Sequence, residues 1–294
     1  MNHNVKLEGP DWDAFFGFVY ERAMILFRRE CGMARPWTDD PILQVGKFGN
    51  VWRKVDKGTE WELRLLDDKD KYEQAKSILT YRHNLIPWTT ISILGNVEFA
   101  YADEHIQGPI FSDVIKIYEG MKVKPEDATR EDWFNYALQH ADDVNIGLHR
   151  FVNNCLLRTD DPRYVMAMIM DMFPLLGEFK SYEVFTSLTY CDWFPYDENS
   201  YPHVGHGSLE YLRRLTNDWY TRDDLMWLYL VELAPRVRRV LHKMDMPWPT
   251  RLGGLFTCRT FEDCICEWRK YDQVKHGLRD NKPWPDNLRR WDVE

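Results

Sequence analysis

The sequence predicts a mainly α-helical protein, and three observations support this prediction. Apolar residues recur at three- and four-residue steps along most of the chain, which is the period of a helix with one buried face. Alternating apolar and polar runs, the pattern of half-buried strands, are scarce. With 294 residues, 44% of them hydrophobic, the chain is long and apolar enough for a substantial core. We therefore expect a single helical domain over residues 1–294, built of one or two lobes.

The first helix is predicted between Trp12 and Arg29. Its apolar face is formed by Phe16, Val19, Tyr20, Ala23, Leu26 and Phe27. The opposite, polar face carries Glu21, Arg22, Arg28 and Arg29. Gly32 is expected to cap this helix at its C-terminal end, and Pro36 cannot continue the helical hydrogen bonds.

The later helices are predicted from the same period and from helix-start signals. A second helix is expected to begin near Asp39 or Asp40, because Pro41 is favoured in a first turn. The stretch 95–124 is interpreted as an irregular connector, since it shows no clean period. Further helices are predicted over 67–82, 161–173, 178–189, 208–217, 223–243 and 261–275.

The formal net charge of -9 disfavours one class of function. A protein that coats DNA non-specifically draws its affinity from many Lys and Arg contacts with phosphates, and an acidic chain is poorly suited to that. A local basic surface is still compatible with this charge. The best candidate for such a DNA-binding surface is the cluster Arg236, Arg238, Arg239, His242 and Lys243. An ordinary solvated helix face is the alternative interpretation.

Membrane, disulfide and metal classes are also disfavoured. No apolar run approaches the roughly 18–20 residues that cross a bilayer, and the N-terminus lacks a signal-peptide core. We therefore expect no membrane contact and a cytoplasmic location, where the six cysteines are free thiols. Cys258, Cys264 and Cys266 form no C-x-x-C pair, so no metal site is predicted. No cofactor is expected to be required, and the spacing leaves a divalent-metal requirement open.

The most informative pattern lies between residues 21 and 61. It consists of Glu21-Arg22, then Arg29-x-x-Gly32, then RPWTDDPILQVGKFGNVWRKVDKGTEW at 35–61. This pattern resembles the signature of the helical domain of 5-hydroxymethyluracil DNA kinases and of the related α-glutamyl/putrescinyl thymine pyrophosphorylases. That family builds hypermodified thymidines in bacteriophage genomes.

Stacking, carboxylate and cationic groups share this short signature, as a site for a base and a phosphate requires. They are Trp37, Thr38, Asp39, Asp40, Asn50, Arg53, Asp56 and Lys57. Chemistry alone also allows a buried polar network, in which Trp37 belongs to the core and Asp40 or Thr38 caps a helix. Arg53 and Asp56 could likewise form an ion pair at i and i+3. The resemblance favours site roles for Asp40, Asn50, Arg53 and Asp56.

Two glycine turns form a second candidate element. Its predicted binding residues are Gly177, Lys180, Gly205, Gly207 and Ser208. Their places are similar to the Gly-x-Gly turns of the family, and these resemble the helix-hairpin-helix element of DNA glycosylases. Such glycines let backbone amides approach phosphate at a helix N-terminus, although most Gly-x-Gly turns only connect helices. The resemblance implies a DNA-glycosylase-like fold with a glycine-turn lobe over 130–245, beside which the N- and C-terminal segments pack together.

The third candidate element is the run Thr260–Tyr271, which is similar to the family's C-terminal helix with its C-E-x-x-K-Y element. Glu267, Lys270 and Tyr271 stand at i, i+3 and i+4, so they share one helix face and can converge on one site. The alternative is a Glu–Lys surface pair with Tyr271 packed beneath it.

The resemblance also implies a reaction. Kinase members join this helical domain to a P-loop, and these residues contain no G-x-x-x-x-G-K-[ST]. The chain is therefore expected to be similar to the stand-alone enzymes rather than to a kinase. These enzymes take 5-(pyrophosphoryloxymethyl)uracil in DNA and replace pyrophosphate with an amine or amino acid, such as putrescine, glutamate or glycine. The expected partners are double-stranded DNA with modified thymine and a small amine, in the cytoplasm of the infected host.

Roles for the candidate residues follow from their chemistry once the resemblance locates the site. We assign Arg53, assisted by Lys270, to the departing pyrophosphate. Asp56 or Glu267 is the candidate general base for the incoming ammonium, with Asp40 as a further choice.

The flipped base is assigned to Trp37 and Asn50, and Tyr271 and Lys57 are expected to support substrate binding. Two rival classes stay open. A glycosylase-like enzyme would excise the base, but Ser187 stands where family members tend to have an aspartate, which disfavours that class. A non-catalytic module would only recognise modified DNA.

Overall fold

The computed structural model describes residues 4–64, 66–84, 152–153, 161–172, 177–248 and 255–282. Over these residues the chain is helical and contains no β-strand, which confirms the predicted mainly α class. The helices are α1 (Pro10–Glu30), α2 (Pro41–Val45), α3 (Lys57–Arg64), α4 (Lys71–Asn84), α5 (Pro162–Met172), α6 (Gly177–Leu188), α7 (His206–Thr216), α8 (Trp227–Lys243) and α9 (Cys258–Lys275). The 3₁₀ turns η1 (Arg53–Val55) and η2 (Asp223–Leu225) join them. None of the described helices is both long and apolar enough to span a membrane.

The chain divides into two compact units. The first unit consists of Met1–Thr59 and Glu198–Leu288, and the second consists of Glu60–Asp197 with Arg289–Glu294. The first boundary along the chain falls within α3, and the second precedes α7. The predicted glycine-turn lobe over 130–245 contains this second boundary, and its resemblance to a DNA glycosylase stays a prediction.

Helix α9 is the centre of the first unit, where α1, α2, α7 and α8 pack against it. The fully buried face of α9 is formed by Phe261, Cys264, Ile265 and Trp268. This helix begins at Cys258, three residues before the predicted start at 261. The reason is a cap that the period does not show, because the hydroxyl of Thr257 accepts a hydrogen bond from the backbone N–H of Thr260 at 3.1 Å.

Helix α1 confirms the first predicted helix. Gly32 follows the cap residue Cys31 with a φ of 70°, and its N–H donates to the carbonyl of Arg29 at 3.0 Å. Glycine adopts this left-handed conformation without strain, so the helix ends where predicted. One expectation about α1 is wrong. Arg22 was placed on the polar face, yet it is only 4% exposed, because α1 is covered on a second face that also buries Phe18.

The remaining helix bounds follow the predictions with local differences. Helix α2 begins at Pro41, as predicted. Helix α4 begins at Lys71 rather than at residue 67, because Asp68 has a left-handed φ of 58° and the Asp70 carboxylate accepts two backbone N–H groups of the first turn at 2.9 and 3.0 Å. Helices α5 to α9 lie close to their predicted ranges. The first residues of the range predicted for α8 form the 3₁₀ turn η2. Helix α3 was not predicted, and the predicted connector at 95–124 lies outside the described residues.

The second unit contains α4, α5 and α6, and α6 packs against both others. Its interior holds a buried ion network around Arg82. The guanidinium of Arg82 lies 2.6 Å from Glu62 and 3.1 Å from Glu183, and all three side chains are buried. The hydroxyl of Ser187 accepts from the Arg82 Nε and Nη2 at 3.0 and 2.8 Å. The Ser187 hydroxyl therefore belongs to this buried network.

Candidate active site

The signature segment and α9 are joined in the first unit by Asp40. The Oδ1 of Asp40 caps α2, accepting from the backbone N–H groups of Ile42 and Leu43 at 2.8 and 3.1 Å. Its Oδ2 accepts from the hydroxyl of Tyr271 at 2.6 Å. Burial and this hydrogen bond to a carboxylate both raise the pKa of Tyr271. Both oxygens of Asp40 are engaged, so this residue holds the signature against α9.

Asp56 is held in place by Asn50. Its Oδ1 accepts from the backbone N–H and from the side-chain Nδ2 of Asn50, both at 2.8 Å. The same Nδ2 donates to the carbonyl of Val55 at 2.9 Å, so both of its hydrogens are used. Within the described residues, the Oδ2 of Asp56 accepts no hydrogen bond, and it lies 3.5 Å from the point where a Cβ on Gly49 would stand.

A second carboxylate borders the same glycine. The Oε2 of Glu267 accepts from the backbone N–H of Gly49 at 3.3 Å, and its Oε1 pairs with the ammonium of Lys270. The Glu–Lys pair that the sequence spacing allowed is therefore present. It is half-buried and bound to the signature loop, however, rather than lying free on the surface. Asp56 and Glu267 thus stand beside one loop. Both oxygens of Glu267 have a partner, whereas only the Oδ1 of Asp56 accepts hydrogen bonds among the described residues.

Burial is the largest influence on Asp56 and raises the pKa of its carboxyl group, and the nearby Glu267 charge acts in the same direction. The positive charges of Arg53 and Arg22 oppose this rise, as does the hydrogen bond from the Asn50 backbone. The net result is a carboxyl group that binds a proton more strongly than an ordinary aspartate. Such a group is a better proton acceptor than a fully solvated carboxylate would be.

Arg22 on α1 is also buried, with 4% exposure. Its guanidinium lies over the ring of Phe18, 5.2 Å from the ring centroid. Among the described residues, its buried Nη1 and Nη2 atoms have no hydrogen-bond partner. We name the set of Arg22, Gly49, Asn50, Arg53, Asp56, Glu267 and Lys270 the Asp56 cluster. It combines three cations with two carboxylates, a formal surplus of one positive charge.

Two other predicted residues of the signature lie nearer the start of α2. The indole N–H of Trp37 donates to the carbonyl of Met33 at 2.7 Å, and the guanidinium of Arg35 lies over its ring at 4.6 Å. Thr38 is buried, and its hydroxyl accepts from the backbone N–H of Asp40 at 3.1 Å. The described contacts do not join Trp37 or Thr38 to Asp56. The side chain of Lys57 lies outside the described residues.

The GHGS turn is packed tightly against α9. A Cβ on Gly207 would stand 2.7 Å from the Sγ of Cys266, so the close approach of α7 and α9 requires glycine there. The buried hydroxyl of Ser208 donates to Glu262 at 2.6 Å. These contacts give Gly207 and Ser208 a packing role, while Gly205 is the N-cap residue of α7. Phosphate binding at this turn stays a prediction.

The first predicted glycine turn and the basic cluster lie elsewhere. Gly177 and Lys180 begin α6 in the second unit. On α8, Arg236 donates to the carbonyl of Val5 and lies 3.7 Å from Glu232, whereas Arg239 is exposed. Arg239 is therefore the more exposed of these two arginines.

Metal ligation finds no support in the described part of the chain, where no group of three or more His, Cys, Asp or Glu side chains could hold an ion. Burial raises the pKa of Cys264 and of Cys266 to about 12, so both are thiols at neutral pH.

Comparison with known proteins shows to which family the chain belongs. A family model described as "5-hmdU DNA kinase, helical domain" matches residues 10–85 and 115–279, which is most of the chain. The chain belongs to this family. It is also similar to a 5-hmdU DNA kinase of Bacillus phage SP10, with 26% identity over 303 aligned positions that cover 88% of this chain and 44% of the relative. The chain therefore spans less than half the length of that relative. No solved structure matches it.

All residues of the Asp56 cluster lie within the matched segments. Two of them were not predicted as site residues. Arg22 was assigned to a solvated face, although its spacing of four residues from both Phe18 and Leu26 was a signal for a second buried stripe. Gly49 contributes only its backbone N–H. Every residue except proline has this group, so the residue type could not identify Gly49 as part of the site.

Proposed function

We propose that the chain replaces the pyrophosphate of 5-(pyrophosphoryloxymethyl)uracil in DNA with an amine or amino acid. The observation that carries this proposal is the Asp56 cluster, which places three cations and two carboxylates around one loop. Such a set can neutralise a departing polyanion and accept a proton from a nucleophile. Family membership supports modified thymine in DNA as the substrate class, because the relative from phage SP10 is a 5-hmdU DNA kinase.

The reaction exchanges one bond for another at the methylene carbon on C5 of the uracil. The incoming amine enters as an ammonium ion and first gives one proton to a carboxylate. Its nitrogen then forms a bond to the methylene carbon, and the bond from that carbon to the pyrophosphate oxygen breaks. Pyrophosphate leaves with the electron pair of the broken bond, and its charge is neutralised by nearby cations.

Asp56 is the stronger candidate for the general base. Its Oδ1 is fixed by two hydrogen bonds from Asn50, while its Oδ2 accepts none among the described residues. Glu267, in contrast, uses one oxygen for Lys270 and the other for the backbone of Gly49. A fixed carboxylate with one open oxygen and a raised pKa suits proton transfer from an ammonium ion.

Arg53 is the principal candidate for the pyrophosphate clamp. It stands one 3₁₀ turn before Asp56 and is half-buried, so its charge is less screened than that of a surface arginine. Lys270 already pairs with Glu267, and its charge is therefore partly neutralised before substrate arrives. We expect Lys270 to assist rather than to dominate.

The base would be held by Asn50 and Trp37. Because both hydrogens of the Asn50 Nδ2 are used, its Oδ1 is the atom that can accept from the N3–H of a flipped uracil. The guanidinium of Arg35 lies over the Trp37 ring, and the other face of that ring can stack on a base. On α8, the exposed Arg239 is better placed to contact a DNA phosphate than Arg236.

The proposal is tested by incubating the chain with duplex DNA that contains 5-(pyrophosphoryloxymethyl)uracil and a panel of amines, including glycine, glutamate and putrescine. The DNA is then digested to nucleosides and analysed by mass spectrometry. We expect an aminated thymidine with one of these amines, with one pyrophosphate released per modified base. Free base with an abasic site would indicate a glycosylase, and unchanged nucleosides in every reaction would refute the proposal.

A second candidate is a modified-DNA-binding module without transfer activity. The chain matches only 44% of the length of the kinase from phage SP10, so its family domain occurs there beside further sequence. In that case the chain would bind modified duplex more tightly than unmodified duplex, and the mass spectrum would show no new nucleoside.

A further inference from the structure

The turn that follows α7 presents two adjacent aromatic rings to solvent. Trp219 is 52% exposed and Tyr220 is 99% exposed. We name residues 218–221 the aromatic turn. Rings left in water give up the stabilisation that burial would provide, so a pair of them side by side indicates a binding surface.

The aromatic turn is held in one shape by Asp218. The Oδ1 of Asp218 accepts from the backbone N–H groups of Tyr220 and Thr221 at 3.2 and 3.0 Å. Its Oδ2 accepts from the hydroxyls of Thr221 and of Tyr229, which is buried on α8. Arg213 of α7 donates to the carbonyl of Thr221 at 2.7 Å. The two rings are therefore presented on a preformed turn, and little ordering is needed when a partner binds.

The exposed charges beside the aromatic turn are paired with one another. Asp223 pairs with Arg213, and Asp224 lies 3.3 Å from Arg222. The two aromatic residues at the tip carry no charge. A tip of this kind is not repelled by phosphates, and its rings suit an apolar space such as the interior of a base stack.

The size of the tip distinguishes nucleic acid from protein as its partner. A stable protein interface buries roughly 800 Å² on each partner. Two aromatic side chains offer at most about 300–500 Å². A base stack, in contrast, accepts a single ring and covers both of its faces. The tip is therefore too small for a stable protein interface and large enough for insertion between bases.

The aromatic turn leaves α7 beside the half of α9 that carries Lys270 and Tyr271. Arg214, in the last turn of α7, donates to the carboxylate of Asp272 at 2.9 Å. The hydroxyl of Tyr211 donates to the same carboxylate at 2.8 Å. The turn that follows thus belongs to the same unit as the Asp56 cluster and starts from a helix that contacts the same part of α9.

We propose that the aromatic turn is a DNA-binding wedge, in which the ring of Tyr220 inserts into the base stack and fills the gap left by the extruded modified thymine. This inference rests on the proposed function, because a base that is extruded for reaction leaves such a gap in the duplex. Apolar side chains of architectural DNA-binding proteins separate base steps in the same way. Insertion can be measured on DNA alone, without amine transfer.

The test compares the affinity of the full chain for an unmodified duplex and for the same duplex with one abasic site. The abasic duplex offers the gap without the cost of extruding a base, so the parent chain should bind it more tightly. Tyr220→Ala should lose this preference, and its affinity for the abasic duplex should fall by about 5- to 150-fold, the scale of one base–aromatic stack. Tyr220→Phe should behave as the parent chain does, because the ring is the inserted group.

Leu278→Ala is the control, because Leu278 is an apolar residue of the same unit that is 77% exposed and lies outside the aromatic turn. It should keep the preference for the abasic duplex. Circular dichroism verifies the folding of each variant, and the exposure of Tyr220 predicts that its variants fold as the parent chain does.

The proposal is overturned if Tyr220→Ala keeps the preference for the abasic duplex, or if it loses the same factor of affinity on both duplexes. A parent chain that binds neither duplex would also overturn it. So would a Tyr220→Ala variant that alters self-association in sedimentation while it binds DNA normally, because the tip would then contact a second copy of the chain. If the parent chain transfers no amine, the proposed function fails, while the two affinities still decide whether Tyr220 inserts.

Discussion

At the scale of single residues, the three carboxylates of Asp40, Glu267 and Asp56 differ in how many of their oxygens have a partner. One oxygen of Asp40 caps α2, and the other accepts a hydrogen bond from Tyr271. One oxygen of Glu267 pairs with Lys270, and the other accepts from the backbone N–H of Gly49. Asp56 keeps one oxygen without a hydrogen bond among the described residues. Local contacts, rather than residue type, therefore separate the three acids that the sequence left as alternatives for the general base.

Replacing Arg53 by Ala removes the principal cation from the proposed pyrophosphate clamp. Turnover should fall by at least about a hundredfold, the scale of losing one preorganised charge-stabilising group. The measurement is the initial rate of amine transfer, with circular dichroism to verify that the variant is folded. The matched control is Arg222→Ala, whose exposed side chain pairs only with Asp224 in the described contacts. A folded Arg53→Ala protein with normal transfer would remove Arg53 from the mechanism.

The raised pKa of Asp56 also predicts a pH dependence of stability. Since folding raises this pKa, the protonated carboxyl is favoured in the folded state, and its stabilising effect is present at low pH. This contribution is lost as pH rises from about 4, the ordinary value for aspartate, through the raised pKa. The free energy of unfolding of the parent chain, relative to Asp56→Asn, should therefore fall with increasing pH in urea titrations. A relative gain in stability with pH would mean that Arg22 and Arg53 outweigh burial.

At the scale of secondary-structure elements, capping groups account for most of the differences between predicted and observed helix bounds. The period of apolar residues predicted α1 and α5 to α9, because each buries one long stripe. It could not place the start of α9, which Thr257 sets, or the start of α4, which Asp70 sets. Helix α3 has only eight residues and lies across the unit boundary, so it offers too few turns for a periodic signal.

Because α7 approaches α9 closely at Gly207, we expect substitutions of Gly207 and Cys266 to be coupled in their effects on stability. Gly207→Ala should destabilise the chain by about 1–3 kcal/mol through overpacking, which exceeds the roughly 0.5–1 kcal/mol that Ala gains over Gly in a helix. Adding Cys266→Ala should relieve most of this cost, because it removes the Sγ atom that lies 2.7 Å from the new Cβ. The four free energies of unfolding in this double-mutant cycle give the coupling.

Strictly additive effects would show that Gly207 is not required by packing. The same double variant also tests the predicted phosphate contact. If it regains stability but binds duplex DNA more weakly than Cys266→Ala, the glycine turn has a role in DNA binding beyond its packing against α9.

At the scale of the whole molecule, the sequence predicted the mainly α-helical class. Signature and C-terminal residues were expected to converge, and the contacts of Asp40 with Tyr271 and of Gly49 with Glu267 give that convergence a geometry. The burial of Arg22 was not predicted, although its spacing of four residues from both Phe18 and Leu26 indicates a second buried stripe on α1. The sequence left one or two lobes open, and it did not place the boundary that falls inside α3.

The second unit depends on the ion network around Arg82. Arg82→Met would remove the guanidinium that contacts Glu62 and Glu183, and it should lower the free energy of unfolding by about 3–5 kcal/mol, the scale of breaking a buried ion pair. Chemical denaturation followed by circular dichroism measures this loss. Arg163→Met is the matched control in the same unit, where an exposed pair with Asp161 should contribute about 1 kcal/mol or less. Equal stability of the two variants would refute a structural role for the network.

The central claim, that Asp56 accepts the proton of the incoming ammonium, is tested most directly by the rate of amine transfer of Asp56→Asn across pH. At neutral pH the variant should be slower than the parent chain, because little of the amine is unprotonated without a base. As pH rises, more amine is already deprotonated in solution, so the two rates should converge. A ratio of rates that stays constant across pH would contradict the claim and leave Asp56 as a structural partner of Asn50 and Arg53.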